Sequence, residues 1–390
     1  MSRKEKDKTK ESTGRARKIV KRILIGLGIL LGAVLVFAIG LILWLSITEY
    51  RPADRVELTV TPAVASAGTE LPAAPTETGI TIMTWNIGYG ALGDNCDFFM
   101  DGGSMVYTAD EDRVNENLTE MLSDICMIMP DILLVQEIDE DCSRTYGINE
   151  IKRFTDVLNA VSDTGYQSTF AYNFKTKYVP YPLPPVGRVS SGIQTFSAYR
   201  INSAERVKLP CPFSWPVSMV NLKRCLAVHR IPVEGSEHEL VLINLHLEAY
   251  DSGEGKIEQT KLLKEVIETE LKKGNYVIAG GDFNQTFSNT DISAYPQQDG
   301  KWVAGRIDVA DFDENLTFVM DAGIPTCRSL DQVYAKADKE NFQYYVLDGF
   351  IVSNNIKVLS VSTLQRDFYA SDHNPVVMRF LLKTEEGDGE

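Results

Sequence analysis

Asp282 and Asn284 stand two residues apart in the run Tyr276-Val277-Ile278-Ala279-Gly280-Gly281-Asp282-Phe283-Asn284. A short apolar stretch bounded by glycine reads as a buried strand, and the two glycines let the backbone turn tightly behind it. A carboxylate and a carboxamide are thereby left at the strand's exit. The first can accept a proton or hold a water, and the second both donates and accepts hydrogen bonds. Asp and Asn after Gly are also ordinary turn residues, so the weight lies with what accompanies them. Asn86, Glu137, His246 and the pair Asp372-His373 fall at further predicted strand exits or turns, and Asp348 falls inside a predicted strand. The chain has four histidines. His246 and His373 take such positions, whereas His229 and His238 do not and read as structural or surface residues. Exits of strands into polar loops are where α/β proteins hold their ligands, and acids, amides and imidazoles gathered there suit hydrolysis by an activated water.

The elements that would carry these groups can be read in order. A strand over 79–85 ends at Asn86, and 92–110 is a long loop. Residues 112–129 repeat Val114, Leu118, Met121, Leu122, Ile125 and Ile128 at helical spacing until Pro130 stops them. A strand over 131–137 ends at Glu137, and 149–161 is a second amphipathic helix. Pro180, Pro182, Pro184 and Pro185 rule out regular structure over 178–187, a loop of the kind that covers something. Strands are expected at 191–199, 226–231 and 239–244, the last two paired, and the helix 257–273 ends at Gly274. After the strand 275–279, residues 286–307 show no pattern and 312–320 reads as a helix. Strands at 346–352, 356–363 and 375–382 complete the chain. Several strands follow one another without a helix between, which predicts an α/β fold of mixed sheets with helices outside.

Residues 1–22 carry ten Lys/Arg against three Asp/Glu, and 23–47 carry no charge at all. That apolar run is long enough for a hydrocarbon core of about 30 Å, with Trp44 near its far end. The basic cluster before it predicts a retained signal anchor with a cytoplasmic N-terminus and everything after about residue 48 outside, at the plasma membrane. A cleaved signal peptide is the competing reading, but Ala65-Ser66-Ala67 comes late for its cleavage site. Residues 48–78, rich in Pro, Ala, Thr and Glu, read as an extended linker, with an extra strand at 56–60 as the alternative. A soluble domain over 79–383 and an acidic tail over 384–390 follow. Beyond residue 22 there are 29 Lys/Arg against 51 Asp/Glu, a net charge of −22, which argues against tight non-specific nucleic-acid binding. The six cysteines show no CxxC spacing, so a cysteine metal site is not expected, while disulfides are permitted outside the cell.

Thr84-Trp85-Asn86, Val135-Gln136-Glu137, Asn244-Leu245-His246, Gly281-Asp282-Phe283-Asn284, Leu347-Asp348-Gly349-Phe350 and Ser371-Asp372-His373 occur in one order across 79–382. Together they resemble the endonuclease/exonuclease/phosphatase superfamily, which includes DNase I-like nucleases, neutral sphingomyelinases and inositol-polyphosphate phosphatases. The resemblance implies a four-layer α/β sandwich of two packed mixed sheets flanked by helices, with the site at one edge of both. It also implies a divalent cation, Mg²⁺ with Mn²⁺ as the alternative, on Glu137, Asn86 and Asp372. In this reading Asp282 orients and deprotonates the water and Asn284 holds a phosphoryl oxygen. Asp348 orients His373 for phosphate binding or proton transfer, and His246 stabilises developing charge. The substrate is a phosphoester: a phospholipid, a small phosphoester or a nucleic acid, with the membrane tether and the Pro/Tyr loop favouring the first two. Arg188 and Arg366 are candidates to grip a second phosphate. The alternatives are an extracellular DNase-like endonuclease and a catalytically silent, membrane-tethered binding module. No protein partner is predicted.

Overall fold

The computed structural model describes residues 3–64, 70–250 and 253–384, with side chains from residue 15 onward. Ala65-Ser66-Ala67 and nearly all of the acidic tail 384–390 lie outside the described residues. Two units are resolved, 1–49 and 50–390. The first is one helix, Arg3–Ile47. Its segment Arg15–Ile47 is long and apolar enough to cross a membrane.

The second unit holds two mixed sheets. The seven-stranded sheet runs in the order Arg55–Glu57, Ser203–Lys208, Cys225–Pro232, Glu239–His246, Tyr276–Asp282, Asp348–Ser353, Leu316–Val319. The six-stranded sheet runs Ile356–Thr363, Val376–Leu382, Ile80–Asn86, Ile132–Asp139, Gly187–Ser197, Gln167–Val179. Each has a single parallel pair, Ile80–Asn86 with Ile132–Asp139 and Glu239–His246 with Tyr276–Asp282. A parallel pair needs a crossover, and the helices Glu111–Ile128 and Glu254–Leu271 lie between the strands of each pair. Because paired strands run the same way, the exits of all four open on one edge.

Alternation along the strands sorts the layers. Ile80, Ile82, Ile132, Leu134, Leu240, Leu242, Ile278 and Phe350 form the core between the sheets. Met83, Trp85, Leu133 and Val135 face outward onto Val114, Leu118, Met121 and Phe154 of the helices Glu111–Ile128 and Glu150–Val161. Val241, Ile243, Leu245 and Val277 face Leu263 and Ile267 of the remaining helix. Both N-termini of the first pair are capped: Asp110 accepts from the Arg113 amide at 2.8 Å and Asn149 from the Lys152 amide at 2.8 Å. The result is the four-layer sandwich of two mixed sheets flanked by helices.

Polar residues close the inter-sheet layer just below the edge. Gln136 Nε2 donates to Asn244 Oδ1 at 2.8 Å and to Thr84 Oγ1 at 3.1 Å. Asn244 Nδ2 donates to the Gln194 carbonyl at 3.0 Å and to Thr195 Oγ1 at 3.1 Å. These motif residues therefore fix the two sheets against each other one or two residues below the site. His229 makes a second polar bridge between the sheets. Its Nδ1 faces the Leu242 carbonyl at 3.1 Å, and so donates, and its Nε2 faces Thr169 Oγ1 at 2.7 Å. Burial pushes its pKa down from 6.5 to about 4. The unfolded chain thus takes up a proton near pH 6.5 that the fold refuses until about pH 4. Stability is expected to fall through that window, by roughly 3 kcal/mol at pH 4. Urea midpoints at pH 7 and pH 4.5 check this, and a His229→Gln chain should lack that part of the dependence.

Several expectations are corrected. Residues 312–320 are not a helix: Leu316–Val319 is an edge strand paired with Asp348–Ser353, and Phe318 is its buried residue. Gln167–Val179 and Ser203–Lys208 are strands that the sequence reading passed over. Asp348 starts its strand rather than lying inside it. Within 48–78, Arg55–Glu57 pairs with Ser203–Lys208 and Ala74 bridges to Val233, so this stretch follows the strand alternative in part. All six cysteines are free thiols.

Candidate active site

Asn86, His246 and Asp282 are the last residues of their strands, and His246 and Asp282 are direct partners across the parallel pair. Asp348, at the start of an antiparallel strand, pairs with Asp282 from the other side. Glu137 sits at an irregularity in the pairing with Gly187–Ser197 and has φ of +54°. Such a bulge re-aims a side chain next to a site. Asp372 and His373 lie just before Val376–Leu382, held by Ser371 Oγ, which donates to the Asn86 carbonyl at 2.8 Å and accepts from the His373 amide at 3.1 Å.

The side chains converge. Asn86 Nδ2 donates to Asp282 Oδ2 at 3.0 Å and to Glu137 Oε1 at 3.4 Å. His246 Nε2 lies 3.4 Å from Asp282 Oδ2 and 3.8 Å from Glu137 Oε1. His373 Nδ1 lies 2.8 Å from Asp348 Oδ2, and its Nε2 lies 3.7 Å from Asp282 Oδ2. Asn284, with φ of +50°, donates its amide to Asp282 Oδ1 at 2.8 Å and its Nδ2 to the Leu247 carbonyl at 2.9 Å. Seven of the eight candidates line one cleft; Asp348 is the exception, buried behind His373. Arg188 and Arg366 do not line it. They are paired with Asp141 and Asp124 instead.

Charge is distributed unevenly. Burial, then the Asp372 carboxylate, pushes Glu137 up to about 7, against the opposing pull of Arg144, His373 and Arg224. Burial pushes Asp282 up to about 6, with His373 opposing and Asp348 adding. Burial also raises Asp372. The imidazoles diverge. Burial, Arg224 and His373 hold His246 well below its usual value, so it is neutral. For His373 burial pulls downward, but Cys327, Asp348 and Asp282 outweigh it and hold the ring well above its usual value, protonated. Titrating groups pushed apart by their surroundings mark acid and base assignments.

The oxygen donors suit a hard divalent cation. Among the described residues the Glu137 carboxylate receives one long hydrogen bond, from Asn86, and the Asp372 carboxylate one of 3.4 Å from Ser371. The buried Asp372 and half-buried Glu137 carboxylates, with so few donors and raised pKa values, lack a positive partner. Two donor triplets also gather within 4.8 Å: Asp282 with Asp348 and His373, and Cys327 with Asp372 and His373. Both depend on His373, whose Nδ1 is taken by Asp348, and neither includes Glu137.

The sequence reading missed three arginines on the cleft. Arg144 is bound by both Asp139 oxygens at 2.9 and 3.1 Å, with its guanidinium 3.4 Å from the centre of the Tyr89 ring. Arg224 reaches Glu248 and the His246 carbonyl, each at 3.3 Å. Arg328 is buried, bonded to the carbonyls of Leu92, Gly93 and Ser329, and its Nε has no hydrogen-bond partner among the described residues. No spacing signal announces any of them. The partners are brought in by strand pairing and loop packing far away in sequence.

The model of the Endonuclease/Exonuclease/phosphatase family matches residues 83–373. No curated protein matches the chain. Among solved structures, an endonuclease/exonuclease/phosphatase from Beutenbergia cavernae is 19% identical, covers 78% of this chain and 72% of its own, and gives a TM-score of 0.50. The human Nocturnin catalytic domain with a bound sulfate anion is 18% identical over 78% of this chain and 94% of its own, with a TM-score of 0.47. Truncated Caenorhabditis elegans TDP2 is 14% identical over 78% and 99%, also at 0.47.

Proposed function

The chain belongs to the endonuclease/exonuclease/phosphatase family, and from that premise we propose that it is a membrane-anchored, outward-facing phosphoester hydrolase that depends on a divalent cation. The observation carrying this reading is the approach of His246 Nε2 to both Asp282, at 3.4 Å, and Glu137, at 3.8 Å. That approach joins the exits of both sheets around one point. Glu137 would hold the cation, with Asn86 and Asp372 beside it; Mg²⁺ would fit this oxygen set, with Mn²⁺ as the alternative. When bound, the cation neutralises a phosphoryl oxygen and so favours attack at phosphorus.

The remaining steps belong to the chain's own groups. Asp282 accepts a hydrogen bond from the attacking water and takes its proton; its raised pKa suits a base working near neutrality. His373, charged and oriented by Asp348, donates to a phosphoryl or departing oxygen. Neutral His246 donates to the oxygen on which charge develops. Asn284 faces the same oxygens, with one Nδ2 hydrogen already given to Leu247. The helix Arg15–Ile47 anchors the domain, and the basic cluster before it keeps the N-terminus cytoplasmic.

The full chain is expected to hydrolyse bis-p-nitrophenyl phosphate in Mg²⁺. EDTA should reduce turnover at least 100-fold, and added Mg²⁺ or Mn²⁺ should restore it. Turnover that persists in EDTA would remove the cation from the reading.

A further inference from the structure

Gly88, Tyr89 and Gly90, just past Asn86, all have left-handed backbones, with φ of +50°, +42° and +62°. Glycine enters that region at no steric cost. Tyr89 is not glycine, and a bulky side chain held there is strained. Strain of this kind persists only where the surrounding structure enforces it, and it gathers at functional sites. Here the turn is enforced from several sides. The Gly88 amide donates to Asn86 Oδ1 at 3.1 Å, and the Gly90 amide to the Ile87 carbonyl at 3.0 Å. A Cβ added at Gly88 would come within 2.9 Å of Asp372 Oδ1, and one at Gly90 within 2.8 Å of Leu118. The turn thus packs bare backbone where side chains have no room. Its one side chain, Tyr89, lines the cleft together with Asn86, Glu137 and Asp372.

Arg144 grips that side chain. Its guanidinium lies 3.4 Å from the centre of the Tyr89 ring, while its Nε and Nη2 donate to the two Asp139 oxygens at 3.1 and 2.9 Å. Asp139 is fully buried, and its amide donates to Glu150 Oε2 at 2.8 Å. The planar fork fixes the surface on which the ring stacks, which an ammonium group could not do. Tyr89 itself is 3% exposed, and its hydroxyl has no hydrogen-bond partner among the described residues. Burial pushes the hydroxyl well above its ordinary pKa, with Arg144 opposing and Glu137, Cys96 and Asp372 adding, so it remains a donor. An unpaired buried donor opposes folding, as does a left-handed tyrosine. Both fall on one residue of the wall that carries the carboxylates.

We propose that Tyr89 is a positioning residue of the cation site, its hydroxyl donating to a water carried by the cation, and that Arg144 holds the ring in place for this. The inference rests on the reading above, in which Glu137, Asn86 and Asp372 would hold a divalent cation. Mg²⁺ keeps several waters when few protein oxygens bind it. Hydrogen bonds made around the first ring of ligands are worth about 10–100-fold in metal affinity. A cation-borne water gives the hydroxyl the acceptor that the protein withholds.

Mn²⁺ binding to the full chain, read from the electron paramagnetic resonance of the free ion without substrate, tests this apart from turnover. Tyr89→Phe removes a single oxygen. It should weaken Mn²⁺ binding about tenfold and leave the urea midpoint equal to or above that of the wild type, because an unpaired buried hydroxyl is lost. Arg144→Lys keeps the charge without the fork and should weaken binding to a similar degree. The double variant should bind no more weakly than Tyr89→Phe alone, since Arg144 acts through the ring. Unchanged Mn²⁺ affinity in Tyr89→Phe would overturn the inference and leave the phosphoester hydrolase reading standing. A lower urea midpoint in that variant would also overturn it, by making the hydroxyl a structural group. Losses that multiply in the double variant would overturn the part given to Arg144. A wild-type chain that binds no Mn²⁺ would overturn this inference and the cation reading together.

Discussion

Asp282→Asn should lower kcat on bis-p-nitrophenyl phosphate by about 10³-fold, in the range that loss of a positioned general base produces, without making the protein less stable at pH 7. Activity falls because an amide cannot take the water's proton, although its oxygen can still accept from the Asn284 amide now at 2.8 Å. Stability behaves differently because the wild-type carboxylate is buried beside Asp348. Its pKa in the fold is about 6 against 3.8 unfolded, so the folded chain binds a proton in that window that the unfolded chain has released. The contribution to stability therefore declines as pH rises from about 3.8 to 6, and above that the buried charge opposes folding. Removing it should add about 1–3 kcal/mol at pH 7, less what is lost where the new amide NH₂ faces Asn86 Nδ2. Urea midpoints and kcat measured on the same preparation separate the two effects. A variant that lost activity and stability together would point to a structural role.

His373→Ala should cost about 10²–10⁴ in kcat, and Asp348→Asn should cost less, about 10–10²-fold. Asp348 is off the cleft, and among the described residues its carboxylate meets His373 Nδ1 at 2.8 Å. It acts on the reaction chiefly through that ring, by holding it in place and keeping it charged, beside the smaller upward push its charge gives the Asp282 carboxyl. The double variant should then be no slower than His373→Ala alone, because residues acting as one unit do not contribute additively. The Asp348→Asn chain should also lose the acidic form of its pH profile at a lower pH than wild type, since the carboxylate that helps hold the proton on His373 is gone. Multiplicative losses in the double variant would show that the two side chains work separately.

The helices Glu111–Ile128 and Glu150–Val161 were legible because their apolar residues recur at helical spacing. The strand Gln167–Val179 was not, since two irregularities in its pairing interrupt the alternation that Phe170, Tyr172 and Phe174 begin. Leu316–Val319 follows an Asp/Asn turn and presents one buried residue, too little to tell a short edge strand from a helical turn. At the site, the acids, amides and imidazoles were legible because short apolar runs mark buried strands and so mark where they end. Arg144, Arg224 and Arg328 were not, because Asp139, Glu248 and the carbonyls of Leu92 and Gly93 meet them only through tertiary packing. Arg188 and Arg366 were singled out as candidates to grip a second phosphate, and their pairing with Asp141 and Asp124 away from the cleft was not legible. Thr84, Gln136 and Asn244, read only as neighbours of site residues, turn inward and hold the two halves of the site in register.

Everything in the proposed chemistry requires a cation where the exits of the two sheets meet. Crystals of the chelated protein soaked in Mn²⁺ locate it by anomalous scattering. The expected result is a peak about 2.1–2.3 Å from a carboxylate oxygen of Glu137, absent from the Glu137→Gln chain. A peak that leaves Glu137 outside its coordination sphere, or no peak at a Mn²⁺ concentration that sustains turnover, would contradict it.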